Sequence, residues 1–113
     1  MKLDAYTIVF LRRPPNAPNL TEAQLDALQQ EHLAFNARMR AEGHALITGP
    51  VEGSMDESLR GVNLFRTSVE ETRRLMESDA SVRAGRLAVE VFTWYMPVGT
   101  LGDRPAAQVS DAD

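Results

Sequence analysis

Apolar residues are concentrated in four short stretches of the chain that have the composition of β-strands. These stretches are residues 5–12, 44–48, 59–67 and 86–95. They are rich in β-branched, aromatic and other large apolar side chains, and turn-forming residues bound them. In residues 5–12 and 86–95 both alternating sets of side chains are mostly apolar. That pattern indicates strands that are covered on both faces.

A helix is predicted between the first and the second strand. Thr21 and Gln24 have the spacing of a capping box, in which each side chain bonds the backbone N–H of the other residue. Apolar positions then recur at intervals of three and four, and Gly43 follows as a left-handed cap. The resulting stripe contains Leu25, Leu28, His32, Phe35 and Met39. One member of this otherwise apolar stripe is therefore a histidine.

A second helix is predicted between the third and the fourth strand. Ser68 and Glu71 again have the spacing of a capping box. The stripe of this helix contains Val69, Thr72 and Met76. Asp79 continues the same spacing, and a turn at residues 83–85 separates the helix from the last strand.

The resulting order, β-α-β-β-α-β, predicts a ferredoxin-like α+β fold. Right-handed crossovers give a four-stranded antiparallel sheet with both helices on one face. Two helices leave the other face of the sheet uncovered, although the first and fourth strands carry apolar side chains there. A second copy of the same sheet is the simplest cover, so we expect a homodimer.

One domain is expected, because 113 residues do not enclose two cores. We place this domain at residues 1–96. Residues 97–113 show no hydrophobic period, contain few large apolar groups, and hold three aspartates against one arginine. We therefore expect them to form a flexible C-terminal tail.

Composition and charge argue against several classes of protein. The chain has a formal net charge of −4, no cysteine and two histidines. These values disfavour a basic nucleic-acid-binding surface, disulfides and a multi-histidine metal site. No apolar run is long enough to cross a bilayer, and the first residues lead into a strand rather than a signal peptide. We expect a small acidic protein of the cytoplasm with no metal, nucleic-acid or membrane partner.

Two ionisable residues occupy the helix stripes that should face the sheet. His32 is either a structural histidine bonded to backbone or a group that transfers a proton near neutral pH. Asp79 is either a helix-terminus residue that accepts backbone N–H groups or the partner of His32. An aspartate bonded to an imidazole fixes the tautomer of the ring and raises its basicity. The two residues are therefore a candidate catalytic pair.

The segment around His32 resembles the signature of the YCII-related (YciI-like) family. In that family a histidine on the first helix is followed by a helix end such as Glu-Gly and by an apolar strand that ends in Gly-Pro. An aspartate at the end of the second helix, an Ala-Gly turn and a final strand come later. The matching segments are residues 32–50, Asp79, residues 84–85 and residues 86–95. The resemblance extends over residues 5–96.

The resemblance implies the dimeric α+β barrel form of the ferredoxin-like fold and an active site built on His32 and Asp79. Two positions depart from the family pattern. Ala80 stands where most members have a proline after the aspartate, which implies a different local turn. Gln29 stands where many members have an arginine one turn before the histidine. If that arginine binds an anionic substrate, this chain should prefer a neutral one.

Two main hypotheses on function follow. Related proteins include a dechlorinase of a chlorinated trihydroxybenzene, muconolactone isomerases and quinol oxygenases. The resemblance therefore implies a lyase or isomerase that needs no cofactor and acts on a small oxygenated compound, aromatic rings included. His32 would be its general base or acid, and Asp79 would orient the ring. The predicted substrate pocket contains Tyr6, Phe35, Met39, Gly49, Pro50 and Trp94.

The second hypothesis is a non-catalytic module that binds a small molecule or mediates assembly through the same cleft. A cofactor-free oxygenase is a third interpretation, which oxygen consumption with a hydroquinone would reveal. The sequence alone leaves these alternatives open.

Overall fold

The computed structural model describes residues 2–102 and 105–110. Five strands and three helices follow one another along this part of the chain. In chain order they are β1 (Lys2–Arg12), α1 (Glu22–Ala41), β2 (Ala45–Ile47), β3 (Leu59–Phe65), α2 (Val69–Met76), α3 (Ala80–Arg83), β4 (Ala88–Pro97) and β5 (Ala107–Ser110).

β1 lies at the centre of an antiparallel sheet. The four main strands follow the order β2-β3-β1-β4. β1 pairs with β4 along nearly its whole length, from Leu3 opposite Pro97 to Arg12 opposite Ala88. It pairs with β3 over its second half only, beginning at Thr7. The predicted four-stranded antiparallel sheet of a ferredoxin-like α+β fold is confirmed.

The starts of the two long helices follow the capping residues that the sequence predicts. The Thr21 side chain accepts the N–H of Gln24 at 3.1 Å, and the Gln24 side chain accepts the N–H of Thr21 at 2.9 Å. Ser68 likewise accepts the N–H of Glu71 at 3.2 Å. Gly43, just after α1, has a φ of 79° and provides the left-handed cap. Among the described residues, no helix combines the length and apolarity that crossing a membrane requires.

Apolar side chains cluster on both faces of the sheet. On the face that carries the helices, α1 and α2 pack on β1, β3 and β4. The buried members of this core are Val9, Leu11, Phe35, Met39, Ala45, Phe65, Met76, Leu87 and Val91. The opposite face, called the open face below, has a second buried cluster of Tyr6, Ile8, Leu64 and Met96. Phe92 and Trp94 lie beside this cluster, opposite Ile8 and Tyr6 on β1, and are 41% and 50% exposed.

The structure contains a fifth strand that the hydrophobic pattern does not predict. β5 pairs with Lys2–Ala5 of β1. β4 pairs with the other side of β1 in this region, so β5 lies on the same side of β1 as β3. Strand pairing uses backbone groups and needs no hydrophobic period, which explains why the pattern misses it. Part of the segment predicted to be a flexible tail thus joins the sheet, while residues 103–104 and 111–113 of that segment lie outside the described residues.

The turn between β4 and β5 is attached to β1 by a side chain. Oδ2 of Asp4 accepts the N–H of Gly99 at 2.9 Å, and Asp4 is fully buried. Carboxylates commonly accept backbone N–H groups in this way. This contact between Asp4 and Gly99 crosses the predicted domain boundary at residue 96. The boundary therefore stays a prediction.

The second predicted helix is divided into two. α2 ends at Met76, and Asp79 is the N-cap of α3 with φ −71° and ψ 128°. The prediction that Asp79 continues the stripe of one helix is therefore wrong. Aspartate favours N-caps because its short side chain bonds the N–H groups of the first turn, and here it begins a new helical turn. The break still leaves Asp79 facing α1.

Candidate active site

A cleft of about 150 Å³ opens between α1 and the helix-covered face of the sheet. β1, β3, the loop after β2 and the segment before β4 complete its walls. Its apolar side chains are Leu11, Leu33, Pro50 and Leu87, and Gly49 and Gly61 contribute backbone. Its polar side chains are Arg13, Gln29, His32, Asn36, Arg60 and Asn63.

The imidazole of His32 meets the carboxylate of Asp79 at the wall of this cleft. Nδ1 of His32 and Oδ2 of Asp79 are 2.7 Å apart. A carboxylate only accepts hydrogen bonds, so Nδ1–H is the donor and the neutral ring carries its lone pair on Nε2. The side chain of His32 is 13% exposed and that of Asp79 is 0% exposed. The sequence left open whether His32 and Asp79 touch, and the structure shows that they do.

Asp79 combines the two roles that the sequence proposed as alternatives. Its Oδ2 accepts from His32, while its Oδ1 accepts the N–H of Ser81 at 3.4 Å as the cap of α3. The bond to Ser81 helps to hold the carboxylate in place independently of the imidazole. His32 is therefore held by a group that is itself anchored to backbone.

Asn36 lies one turn after His32 on α1 and contacts the other ring nitrogen. Its Nδ2 is 3.4 Å from Nε2 of His32, and Asn36 is 7% exposed. Its Oδ1 has no hydrogen-bond partner among the described residues. A side-chain amide offers a donor and an acceptor, so rotation of the group serves either the neutral ring or the imidazolium. Asn36 thus suits both protonation states of His32.

Asn63 presents an unpaired amide to the cleft. It lies opposite Val9 on β3 and is 0% exposed. Neither its Oδ1 nor its Nδ2 has a hydrogen-bond partner within the described part of the chain. Leaving a buried polar group without a partner costs about 1–3 kcal/mol, and native proteins keep few such groups. A ligand oxygen or hydroxyl in the cleft would complete the hydrogen bonding of Asn63.

Gly61 makes the cleft by allowing two segments to approach. A Cβ built on Gly61 would lie 3.0 Å from Cδ1 of Leu11 and 3.1 Å from the carbonyl oxygen of Gly49. That oxygen accepts the N–H of Val62 at 3.0 Å, so the backbone there has a fixed position. Only glycine leaves room for this packing.

Replacing Gly61 by alanine is expected to lower the free energy of unfolding by about 1–3 kcal/mol, because the added methyl group overpacks this site. Gly49→Ala is the matched control, since a Cβ at Gly49 meets nothing within 4 Å. It should change stability by less than about 0.5 kcal/mol. Urea unfolding at one fixed protein concentration measures both variants. Equal stability of the two variants would show that the contact at Gly61 is not tight.

The structure brings some of the predicted pocket residues together and separates the others. Gly49 and Pro50 line the cleft beside His32. Phe35 and Met39 lie in the main core and do not line the cleft. Tyr6 is buried on the open face, and Trp94, its partner on β4, is half exposed there. Alternation sends Tyr6 and Trp94 to the face opposite His32, so neither forms a wall of this cleft.

The sequence did not point to four polar residues of the cleft, which are Arg13, Asn36, Arg60 and Asn63. Asn36 is one helical turn from His32, so the helical period contained a signal for it. Asn63 lies between Gly61 and Phe65 on the inward side of β3. A polar residue within a mostly apolar strand was a signal for it in the sequence. Arg13 and Arg60 come from strand ends far apart in sequence, and no local pattern joins them.

Within residues 2–102 and 105–110, no group of three His, Cys, Asp or Glu side chains is arranged to hold a metal ion. The residues at the cleft provide one imidazole with its carboxylate partner, three amides and two guanidinium groups.

No protein-family model matches the chain, and a comparison with curated protein sequences finds no relative. Among solved structures, the chain is similar to 5-chloro-2-hydroxyhydroquinone dehydrochlorinase from Burkholderia phenoliruptrix, in complex with 2,5-dihydroxybenzoquinone. The TM-score is 0.54 and the sequence identity 19%, over 87% of this chain and 99% of that chain. At this identity the similarity shows the α+β fold, and membership of the YciI-like family stays a prediction.

Proposed function

We propose that the protein is a cofactor-independent lyase or isomerase that moves a proton on a small oxygenated ring compound. The observation that carries the proposal is the contact between Nδ1 of His32 and Oδ2 of Asp79, 2.7 Å long, at the wall of a cleft. The carboxylate fixes the ring so that Nε2 has the lone pair, and it stabilises the imidazolium formed after proton transfer. His32 is the general base and acid, and Asp79 is its positioning residue.

The size of the cleft supports a ring as the substrate. A cavity of about 150 Å³ is known to accept one benzene molecule. The cleft has this volume and combines leucine side chains with amides, a composition that suits a flat ring with hydroxyl or carbonyl groups at its edge. The solved structure of similar fold is named for a reaction on a chlorinated hydroxyhydroquinone, which gives the proposal a specific ring to test.

Dehydrochlorination of such a ring needs only proton transfers. The proton of one hydroxyl first moves to the carbon that bears chlorine, and this hydroxyl becomes a ketone. Loss of the proton of the hydroxyl para to that ketone then forms a second ketone, and chloride leaves with the electron pair of the C–Cl bond. The products are a hydroxyquinone, chloride and a proton, so electrons balance without an oxidant. His32 serves as the base and acid for these steps.

Replacement of Asp79 by asparagine tests the pair directly. Asparagine can donate its amide N–H to Nδ1, so the neutral ring of His32 should change from the Nδ1–H to the Nε2–H tautomer. Two-bond ¹H–¹⁵N correlation spectra distinguish the tautomers at a pH where the ring is neutral. Asp26→Asn, an exposed carboxylate on α1, is the matched charge control and should leave the ring unchanged. A wild-type ring in the Nε2–H form would contradict the proposed pair.

Activity is measured with hydroxyhydroquinones as probes. Release of chloride from 5-chloro-2-hydroxyhydroquinone reports elimination, and exchange of ring protons with deuterated water reports proton transfer alone. Binding of these rings without either reaction would favour the alternative, a non-catalytic small-molecule-binding module. Oxygen uptake would favour a cofactor-free oxygenase.

We also propose that the protein is a homodimer in which two open faces pack together. The helices cover one face of the sheet, whereas Phe92 and Trp94 remain 41% and 50% exposed on the other. Phe10 packs edge-to-face on Phe92 with ring centroids 5.1 Å apart, which extends the aromatic surface to β1. Apolar surface of this kind is typical of an interface.

A further inference from the structure

Two arginines that have no carboxylate partner among the described residues line the cleft. Arg13 and Arg60 both line it, and within the described residues no carboxylate lies within 4 Å of either guanidinium group. Some arginines outside the cleft do have carboxylate partners. Arg12 is paired with Asp56 and Glu90, and Arg74 is paired with Glu71.

The arrangement holds one of these side chains in a fixed orientation. Nε–H of Arg13 donates to the carbonyl oxygen of Arg86 at 2.9 Å, which leaves the terminal nitrogens of the guanidinium group free to bind a ligand. Burial, and next the nearby charges of Arg86 and Arg60, lower the pKa of Arg13 below its usual value. Like charges held together raise the energy of the empty protein, and an anion between them would offset that cost.

Asn63 adds an independent indication that a polar ligand binds at this place. It is fully buried on β3, lines the same cleft as Arg60 and has both amide atoms unpaired in the described part of the protein. A guanidinium group binds a carboxylate through two parallel hydrogen bonds, and an amide binds a neighbouring hydroxyl or carbonyl. The three side chains therefore match a ring that carries an acidic group next to an oxygen substituent.

We propose that Arg13 and Arg60 form an anion subsite of the cleft, so that the substrate is a hydroxylated ring bearing a carboxylate, with a ring oxygen bound by Asn63. This inference rests on the proposed function, because the ring would lie against His32. It replaces the expectation of a neutral substrate that Gln29 suggested. Gln29 does line the cleft, but the positive charge comes from the end of β1 and from β3 instead of from α1.

Binding of two matched probes tests the subsite. The probes are 2,5-dihydroxybenzoate and 2,5-dihydroxybenzamide, which have nearly the same size and differ in charge. Isothermal titration should show that the wild-type protein binds the carboxylate about tenfold or more tightly than the amide, as expected for charge-assisted hydrogen bonds. Added salt should weaken binding of the carboxylate and leave that of the amide unchanged.

Arg60→Gln should abolish the preference for the carboxylate. Arg60 is exposed, so its loss should leave the fold intact. Arg74→Gln removes the same charge on α2, outside the cleft, and should retain the full preference. Equal affinity of the wild-type protein for the two probes, failure to bind the carboxylate, or a preference that persists in Arg60→Gln would each overturn the inference.

The two proposals fail in different ways. Suppose that the preference for the carboxylate is lost in Arg60→Gln, but that the His32 ring of the wild-type protein is in the Nε2–H form. These results would support the subsite and contradict the catalytic pair. Suppose instead that the wild-type protein binds the two probes equally, and that the tautomer of the His32 ring changes in Asp79→Asn. These results would support the catalytic pair and contradict the subsite.

Discussion

Replacing His32 by asparagine should lower kcat/KM for ring-proton exchange or chloride release by about 10²–10⁴-fold, the contribution of a positioned general base. Nδ2 of asparagine occupies nearly the position of the imidazole Nδ1. It can therefore still donate to Oδ2 of Asp79 while the base at Nε2 is gone. The thermal unfolding temperature should stay close to that of the wild-type protein.

His32→Ala provides the comparison that separates catalysis from stability. It also removes the base, but it leaves the fully buried carboxylate of Asp79 with only the N–H of Ser81. Loss of one partner of a buried pair typically costs about 3–5 kcal/mol. We therefore expect both variants to be inactive and only His32→Ala to be clearly destabilised. Activity retained in His32→Asn would show that His32 is a structural residue.

Replacing Trp94 by glutamate should convert the proposed dimer to a monomer. The side chain is half exposed on the open face, directly opposite Tyr6 on β1, and a carboxylate there would have to lose its hydration in an interface between two sheets. Sedimentation equilibrium should give twice the mass of one chain for the wild-type protein and the mass of one chain for the variant. Phe92→Glu should behave in the same way.

Tyr95→Glu is the matched control for the interface. Tyr95 is the next residue of β4, is 46% exposed, and faces the opposite side of the sheet because side chains alternate along a strand. The same substitution there should leave the mass of the assembly unchanged. A monomeric wild-type protein, or a Trp94→Glu variant that remains dimeric, would show that the open face is not the interface.

Local signals predicted the fold well because they act within a few residues. Capping side chains at Thr21 and Ser68 set the starts of the long helices, and the strand order follows from the element order. The same signals were weaker at Asp79, where a spacing of three residues fits a continuing helix and a new N-cap equally well. The backbone conformation at Asp79 decides between them, and periodicity does not report it.

The candidate site was only partly predictable, since its residues meet through the sheet. His32 and Asp79 stood out because each is a polar residue at a position expected to face the core. Tyr6 and Trp94 were misplaced because both faces of β1 and β4 are apolar, and alternation alone does not say which face carries the helices. The catalytic role of His32 and Asp79 stays a prediction.

The pairing of β5 with the first residues of β1 has a consequence for aggregation. Without β5, the backbone N–H and C=O groups of Lys2–Ala5 would be unpaired along one edge, on a strand at the centre of the sheet. Such an edge is a template for strands of other molecules. The segment that follows β4 thus protects the sheet from intermolecular pairing, and a chain shortened to residue 96 would lose that protection.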